Sequence, residues 1–315
     1  MTPDCAISVC LAVSNRLRRL SAHTPRGYGL PRPSAVRFIV VQALAVACFT
    51  ASGNAQDHHF GPVRRNVIVA GLNGALGGLT AGTSQAFAGK SFWRGFARGA
   101  AGGLVVYGGK RLIAERSPAA WWAGRELAAI GSSEVANAAN GRPAFQIVTI
   151  PVGLIRFHFE PRAKRVLSPT LDVVSTAYAI AIATRSGSRL AIGQSLATGA
   201  IVFVTRETSN AIGGNAAGIV TLSELVPNGN FPALQSERDV ISHELIHSAQ
   251  YDFLVTAWAD PIQSVIVRKL PWTKPVTRYL DFNLLMPLEV VANSLVLYGS
   301  RPWEKEARSL VSHDR

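Results

Sequence analysis

The chain has 315 residues, 48% hydrophobic and 16% charged, a balance that excludes an intrinsically disordered protein and allows a real core. Its formal charge of +13 overstates the basic character of the later chain, because six arginines and one acid precede residue 56; the remainder carries 26 basic and 18 acidic side chains. Those bases (Arg64, Arg65, Lys110, Arg111, Lys164, Arg165) are scattered rather than interleaved with stacking aromatics, so the pattern argues against nucleic-acid binding, and attraction to anionic lipid or cell wall is the better use of the charge.

Residues 1–55 read as an N-terminal extension and secretion signal. Arg37 precedes the apolar run Phe38–Phe49, and Gly53-Asn54-Ala55 offers small residues at the −3 and −1 positions of a cleavage site before Gln56. The run is short for a membrane span. Ala45-Val46-Ala47 before Cys48 is a weaker lipoprotein variant, and Val36 is a candidate initiator, since residues 1–35 are Pro/Arg-rich and unlike a signal start. Cys5, Cys10 and Cys48 are the three cysteines, so a chain cleaved at Ala55 has no disulfide and no cysteine nucleophile. These features together predict export to the periplasm or outer envelope.

Residues 56–143 form a glycine-rich helical region in this reading. Gly74, Gly78 and Gly82, then Gly95, Gly99 and Gly103, recur at every fourth position, a spacing that lines glycines along one helix face and lets another backbone come close. The pattern predicts antiparallel helices over 66–88 and 92–115, with Gly89 at a C′ position, Ser91 as an N-cap and the two glycine series face to face. A soluble hairpin is preferred to a membrane-inserted one because Arg94 and Arg98 interrupt the second helix. Ser117-Pro118 opens a third helix running to Asn140-Gly141, with Trp121, Trp122, Leu127 and Ile130 as its core residues.

From Phe145 the texture becomes strand-like. Ile155, Phe157 and Phe159 alternate with Arg156, His158 and Glu160, and 171–184, 189–194, 200–205 and 217–223 follow as further strands. His158 reads as a polar-face strand residue rather than a ligand. Residues 144–315 are thus one α+β domain with an antiparallel sheet.

The chemistry lies in His243-Glu244-Leu245-Ile246-His247. Ser236 and Asp239 form a capping box that starts a helix near Glu237. On that helix His243 and His247 share a face and can grip one metal ion, while Glu244 sits beside the face as a general base for water. Asp252, Asp260 and Asp281 are rival candidates for the third ligand, Asp252 pointing away from the metal face. No G-x-S-x-G elbow and no phosphate loop is present, which removes those two hydrolase classes.

The pattern resembles the zincin metallopeptidases, and His243-Glu-Leu-Ile-His-Ser-Ala-Gln250 is similar to the short motif of a widespread bacterial domain of uncharacterised function. The metzincin continuation is missing, since Gln250 and Phe253 stand at its glycine and histidine positions. Met286-Pro-Leu-Glu289 begins a helix that resembles the gluzincin arrangement, which implies Glu289 as third zinc ligand and Asn293 as the residue supporting the first histidine. The resemblance implies a zinc-dependent peptidase acting on protein or peptide, with Glu244 catalytic and Tyr251 or Tyr298 stabilising the oxyanion. The alternatives are a non-catalytic zincin scaffold of the envelope and a membrane-associated assembly factor.

Overall fold

The computed structural model describes residues 62–185, 187–205, 219–223, 236–259, 267, 270–277, 279–281 and 302–311. Helices α1 (Pro62–Phe87), α2 (Phe92–Ile113) and α3 (Pro118–Asn140) come first. Their ends follow local chemistry. Gly89 turns the chain at φ +73°, and Ser91 caps α2 by accepting from the Arg94 N–H. Ser117 caps α3, Pro118 enters its first turn, and Gly141 closes it at φ +69°.

Glycine lets these helices approach closely, but the pairing differs from the expected one. A Cβ on Gly99 would overlap the Gly77 carbonyl, and one on Gly77 would overlap the Gly99 carbonyl. Gly74, Gly78 and Gly82 instead meet the side chains of Leu104, Phe96 and Phe92. On its other side α2 presents Gly109 to α3, where a Cβ would lie 2.5 Å from the Gly124 carbonyl oxygen. Helix α2 is therefore the middle layer, packed on both sides, which explains its lack of one clear apolar face. Among the described residues, α1 is long and apolar enough to cross a membrane by length and composition, with 44% of its apolar window buried within the protein.

The chain continues through β1 (Val148–Val152), β2 (Ile155–Phe159), β3 (Leu167–Asp172), α4 (Val173–Arg185), β4 (Arg189–Leu190), α5 (Ile192–Thr198), β5 (Ile201–Thr205) and β6 (Ile219–Ser223). Then come α6 (Glu237–Leu254), a π turn (Val255–Ala259), a short α7 (Lys274–Thr277), β7 (Leu280–Asp281) and α8 (Pro302–Val311). Among the described residues two small sheets form, in the orders β1-β2-β3-β7 and β4-β5-β6. The protein is a mixture of helix and sheet, compatible with an α+β class. The sheets are not wholly antiparallel: β3–β7 and β5–β6 pair in parallel.

Three expectations are corrected. The strand over 171–184 stops at Asp172, and Val173–Arg185 is helix. Its alternating Ala-Ile-Ala-Ile mimics a strand period, but alanine at every second position is a strong helix former. The strand over 189–194 shrinks to two residues before α5, which Gly199 ends at φ +68°. Of the tryptophans and aliphatics assigned to the core of α3, Trp121 is buried, Trp122 and Ile130 are half-buried, and Leu127 is exposed.

In β2 the polar face is the buried one. Arg156 is buried and donates to the Thr256 hydroxyl, while Ile155 and Phe159 are exposed. His158 is held between Thr149 Oγ1 at 2.9 Å and Thr170 Oγ1 at 2.8 Å. Helix α3 packs on both β1 and α6. Leu245, Ile246 and Ala249 of α6 join Val106, Ile113 and Val135 of α2 and α3 and Ala307, Leu310 and Val311 of α8 among the buried apolar residues.

Candidate metal centre

Helix α6 starts where its capping box forms. Ser236 Oγ accepts from Asp239 N at 3.2 Å, and Asp239 Oδ2 accepts from Ser236 N at 3.0 Å. Trp121 of α3 donates to Ser242 Oγ at 2.9 Å, which sets the rotation of α6 next to His243. Helix α8 begins with Pro302 and places Glu304 in its first turn.

These two helices bring three donor side chains to one point. His243 Nε2 and His247 Nε2 are 3.1 Å apart. Glu304 Oε2 lies 3.3 Å from His243 Nε2, and its Oε1 lies 3.4 Å from His247 Nε2. A tetrahedral ion with bonds of roughly 2.0–2.1 Å needs its ligand atoms about 3.3 Å from one another; the two histidine nitrogens are spaced for one such edge, and the Glu304 carboxylate approaches each nitrogen through a different oxygen. His243 is 2% exposed and Glu304 is 4% exposed. This buried group can hold a metal ion.

Burial opposes a charge on the His247 imidazole. The hydrogen bond and charge of Glu304, with Glu244 and Gln250 adding, outweigh it and carry the ring up to about 9. Burial likewise opposes charge on Glu304, yet the two histidines hold its carboxyl well below the usual carboxylate range. The site therefore favours a carboxylate facing positive charge.

Glu244 is half-buried on α6 and near enough to His247 to act on it electrostatically. Tyr251 is buried one turn beyond His247. Asp252 is buried too, but Arg125, Arg156 and Asp172 are its electrostatic neighbours, and burial pushes its carboxyl up against the pull of the two arginines. Asp281 pairs in register with Asp172 on the β3–β7 edge. Glu289, Asn293, Tyr298 and Asp260 lie outside the described residues. His243 Nδ1 has no hydrogen-bond partner among the described residues.

The sequence reading did not single out Glu304. A signal was available: Glu304, Ala307 and Val311 share one helical stripe, so Glu304 puts a charge at a position that the amphipathic pattern reserves for the core. Gln250, read only as a missing metzincin glycine, accepts from the other nitrogen of His247, with Nδ1 and Oε1 2.7 Å apart.

Comparison with protein-family models, curated proteins and solved structures gives no match.

Proposed function

We propose that the chain is a zinc-dependent hydrolase of peptide bonds that works in the bacterial cell envelope. The observation that carries this reading is the convergence of His243 Nε2, His247 Nε2 and the Glu304 carboxylate, with contacts of 3.1, 3.3 and 3.4 Å, beside Glu244. Three protein ligands leave a fourth position for water or substrate, the composition of catalytic rather than closed structural zinc sites. The resemblance of the motif to zincin metallopeptidases supports the substrate class, and the signal-like segment over 36–55 supports export.

When bound, zinc supplies the Lewis acidity that makes water nucleophilic near neutral pH and polarises a carbonyl. Every other task falls to the chain. His243 and His247 present neutral Nε2 atoms, and Glu304 presents its carboxylate. Glu244 takes the proton of the attacking water on its carboxylate and returns it to the leaving amine nitrogen. Tyr251 is the described candidate for stabilising the oxyanion. Burial of His243 and Glu304 keeps bulk water away from the rear of the site.

The same burial favours a second reading, a metal-stabilised envelope module without catalysis. Glu244→Gln separates the two. As a peptidase, the variant keeps about one zinc per chain and loses hydrolysis of casein or a peptide library. A wild type that holds zinc and cleaves nothing supports the module.

A further inference from the structure

We propose that Gln250 is a positioning residue that fixes His247 in the tautomer carrying its proton on Nδ1, so that the Nε2 lone pair faces His243 and Glu304. This deepens the metal reading above and rests on Nε2 being the ligand atom. The chain of contacts starts two helices away. Lys110 of α2 donates its ammonium to both Glu306 oxygens at 3.0 Å and to Asn73 Oδ1 at 2.9 Å. Asn73 of α1 donates Nδ2 to Glu306 Oε1 at 2.7 Å and to the Val69 carbonyl at 2.9 Å. Lys110 and Glu306 are 4% and 1% exposed, so neither charge has water as a substitute partner. Glu306 is thus held as an anion that can only accept.

That anion orients the amide of Gln250. Gln250 Nε2 lies 2.7 Å from Glu306 Oε2 and 3.2 Å from the Trp303 carbonyl, two acceptors that an amide oxygen could not satisfy. The NH2 must therefore face Glu306 and Trp303, which turns Oε1 toward His247 Nδ1 at 2.7 Å. An oxygen acceptor at that distance requires a proton on Nδ1, and a neutral ring then has its lone pair on Nε2. Lys110, Glu306 and Gln250 form a relay whose polarity is set in the glycine-rich helices and read out at the metal-facing nitrogen. It orders the ligand before an ion arrives, as partners behind metal-binding histidines do.

The test uses the full chain labelled with 15N-histidine, in the zinc-free form at alkaline pH and in the zinc-loaded form, with long-range 1H–15N spectra and zinc competition against a chelator. The wild type should show the Nδ1–H tautomer of His247 in both forms. Gln250→Leu should mix the tautomers and weaken zinc binding about ten- to a hundred-fold. Combining Gln250→Glu with Glu306→Gln reverses both partners, keeps an acceptor toward Nδ1 and should recover most of the affinity. An Nε2–H tautomer in the wild type, or wild-type zinc affinity in Gln250→Leu, overturns the relay. A wild type that shows Nδ1–H but binds no zinc sinks the metal reading and leaves the relay standing.

Discussion

Arg116 places its Nε 2.7 Å from Oδ1 of Asp239, so the link between α2 and α3 is tied to the first turn of the histidine-bearing helix. Its Nη2 also donates to the Val311 carbonyl at 2.5 Å, at the far end of the helix that carries Glu304. One guanidinium therefore spans both helices that form the candidate metal centre. It does so from a left-handed backbone, with φ +60°, which costs a residue other than glycine about 1 kcal/mol or more.

Arg116→Ala should lower unfolding free energy by about 1–3 kcal/mol, because the buried Asp239 carboxylate loses the guanidinium beside it. It should also weaken zinc binding, since the two helices lose a shared anchor. Arg116→Gly loses the same pair but relieves the backbone, so it should fall less than the alanine variant. Urea unfolding of the three proteins checks the order. Wild-type stability in both variants would show that the clamp contributes nothing.

The glycine contacts predict opposite signs at two positions. Gly99→Ala puts a Cβ into the Gly77 carbonyl and should cost about 1–3 kcal/mol. Gly71 is exposed within α1 with nothing within 4 Å of an added Cβ, so Gly71→Ala should stabilise by about 0.5–1 kcal/mol. Equal and small effects at both sites would mean that α1 and α2 do not meet through their backbones.

The His247–Glu304 pair makes stability depend on pH in protein stripped of metal. His247 is raised from 6.5 to about 9, so its contribution is complete below pH 6.5 and is lost as pH rises through about 9. Glu304 is lowered from 4.5, so its contribution is complete above pH 4.5 and is lost as the solution becomes more acid. Both describe one interaction, which predicts a plateau in melting temperature between pH 4.5 and 6.5 and a decline on the alkaline side. On the zinc reading proposed above, the ion would take the place of the His247 proton, so loading should remove the alkaline decline. Identical pH profiles for stripped and zinc-treated protein would contradict this assignment.

Much of the fold could be read from local signals. Ser91, Ser117, Gly141 and the Ser236–Asp239 box mark helix ends through their own backbone hydrogen bonds, so no distant contact is needed to predict them. Packing partners are different. The four-residue glycine rhythm announces a close approach, but only the rotation of α2 decides that Gly99 meets Gly77 rather than Gly78. In β2 the alternation of Ile155 and Arg156 predicts two faces but not which is buried, and here Thr256 and the Asp252 carboxyl draw the guanidinium inward.

The site divides along the same line. His243, Glu244 and His247 lie within one helical turn and are legible from spacing. Glu304 is brought to them by tertiary packing of a separate helix, where an acid on a buried stripe is the only local sign.

Metal content per chain tests the central claim most directly, measured after exhaustive dialysis on wild type, His243→Ala, Glu304→Ala and Glu289→Ala, each shown to be folded. Wild type should hold about one zinc, His243→Ala essentially none, and Glu304→Ala much less than wild type because a tetrahedral site loses a protein ligand. Glu289→Ala should keep its zinc if Glu304 is the third ligand. A wild type without zinc, or full zinc in Glu304→Ala with loss in Glu289→Ala, would contradict the centre described by His243, His247 and Glu304.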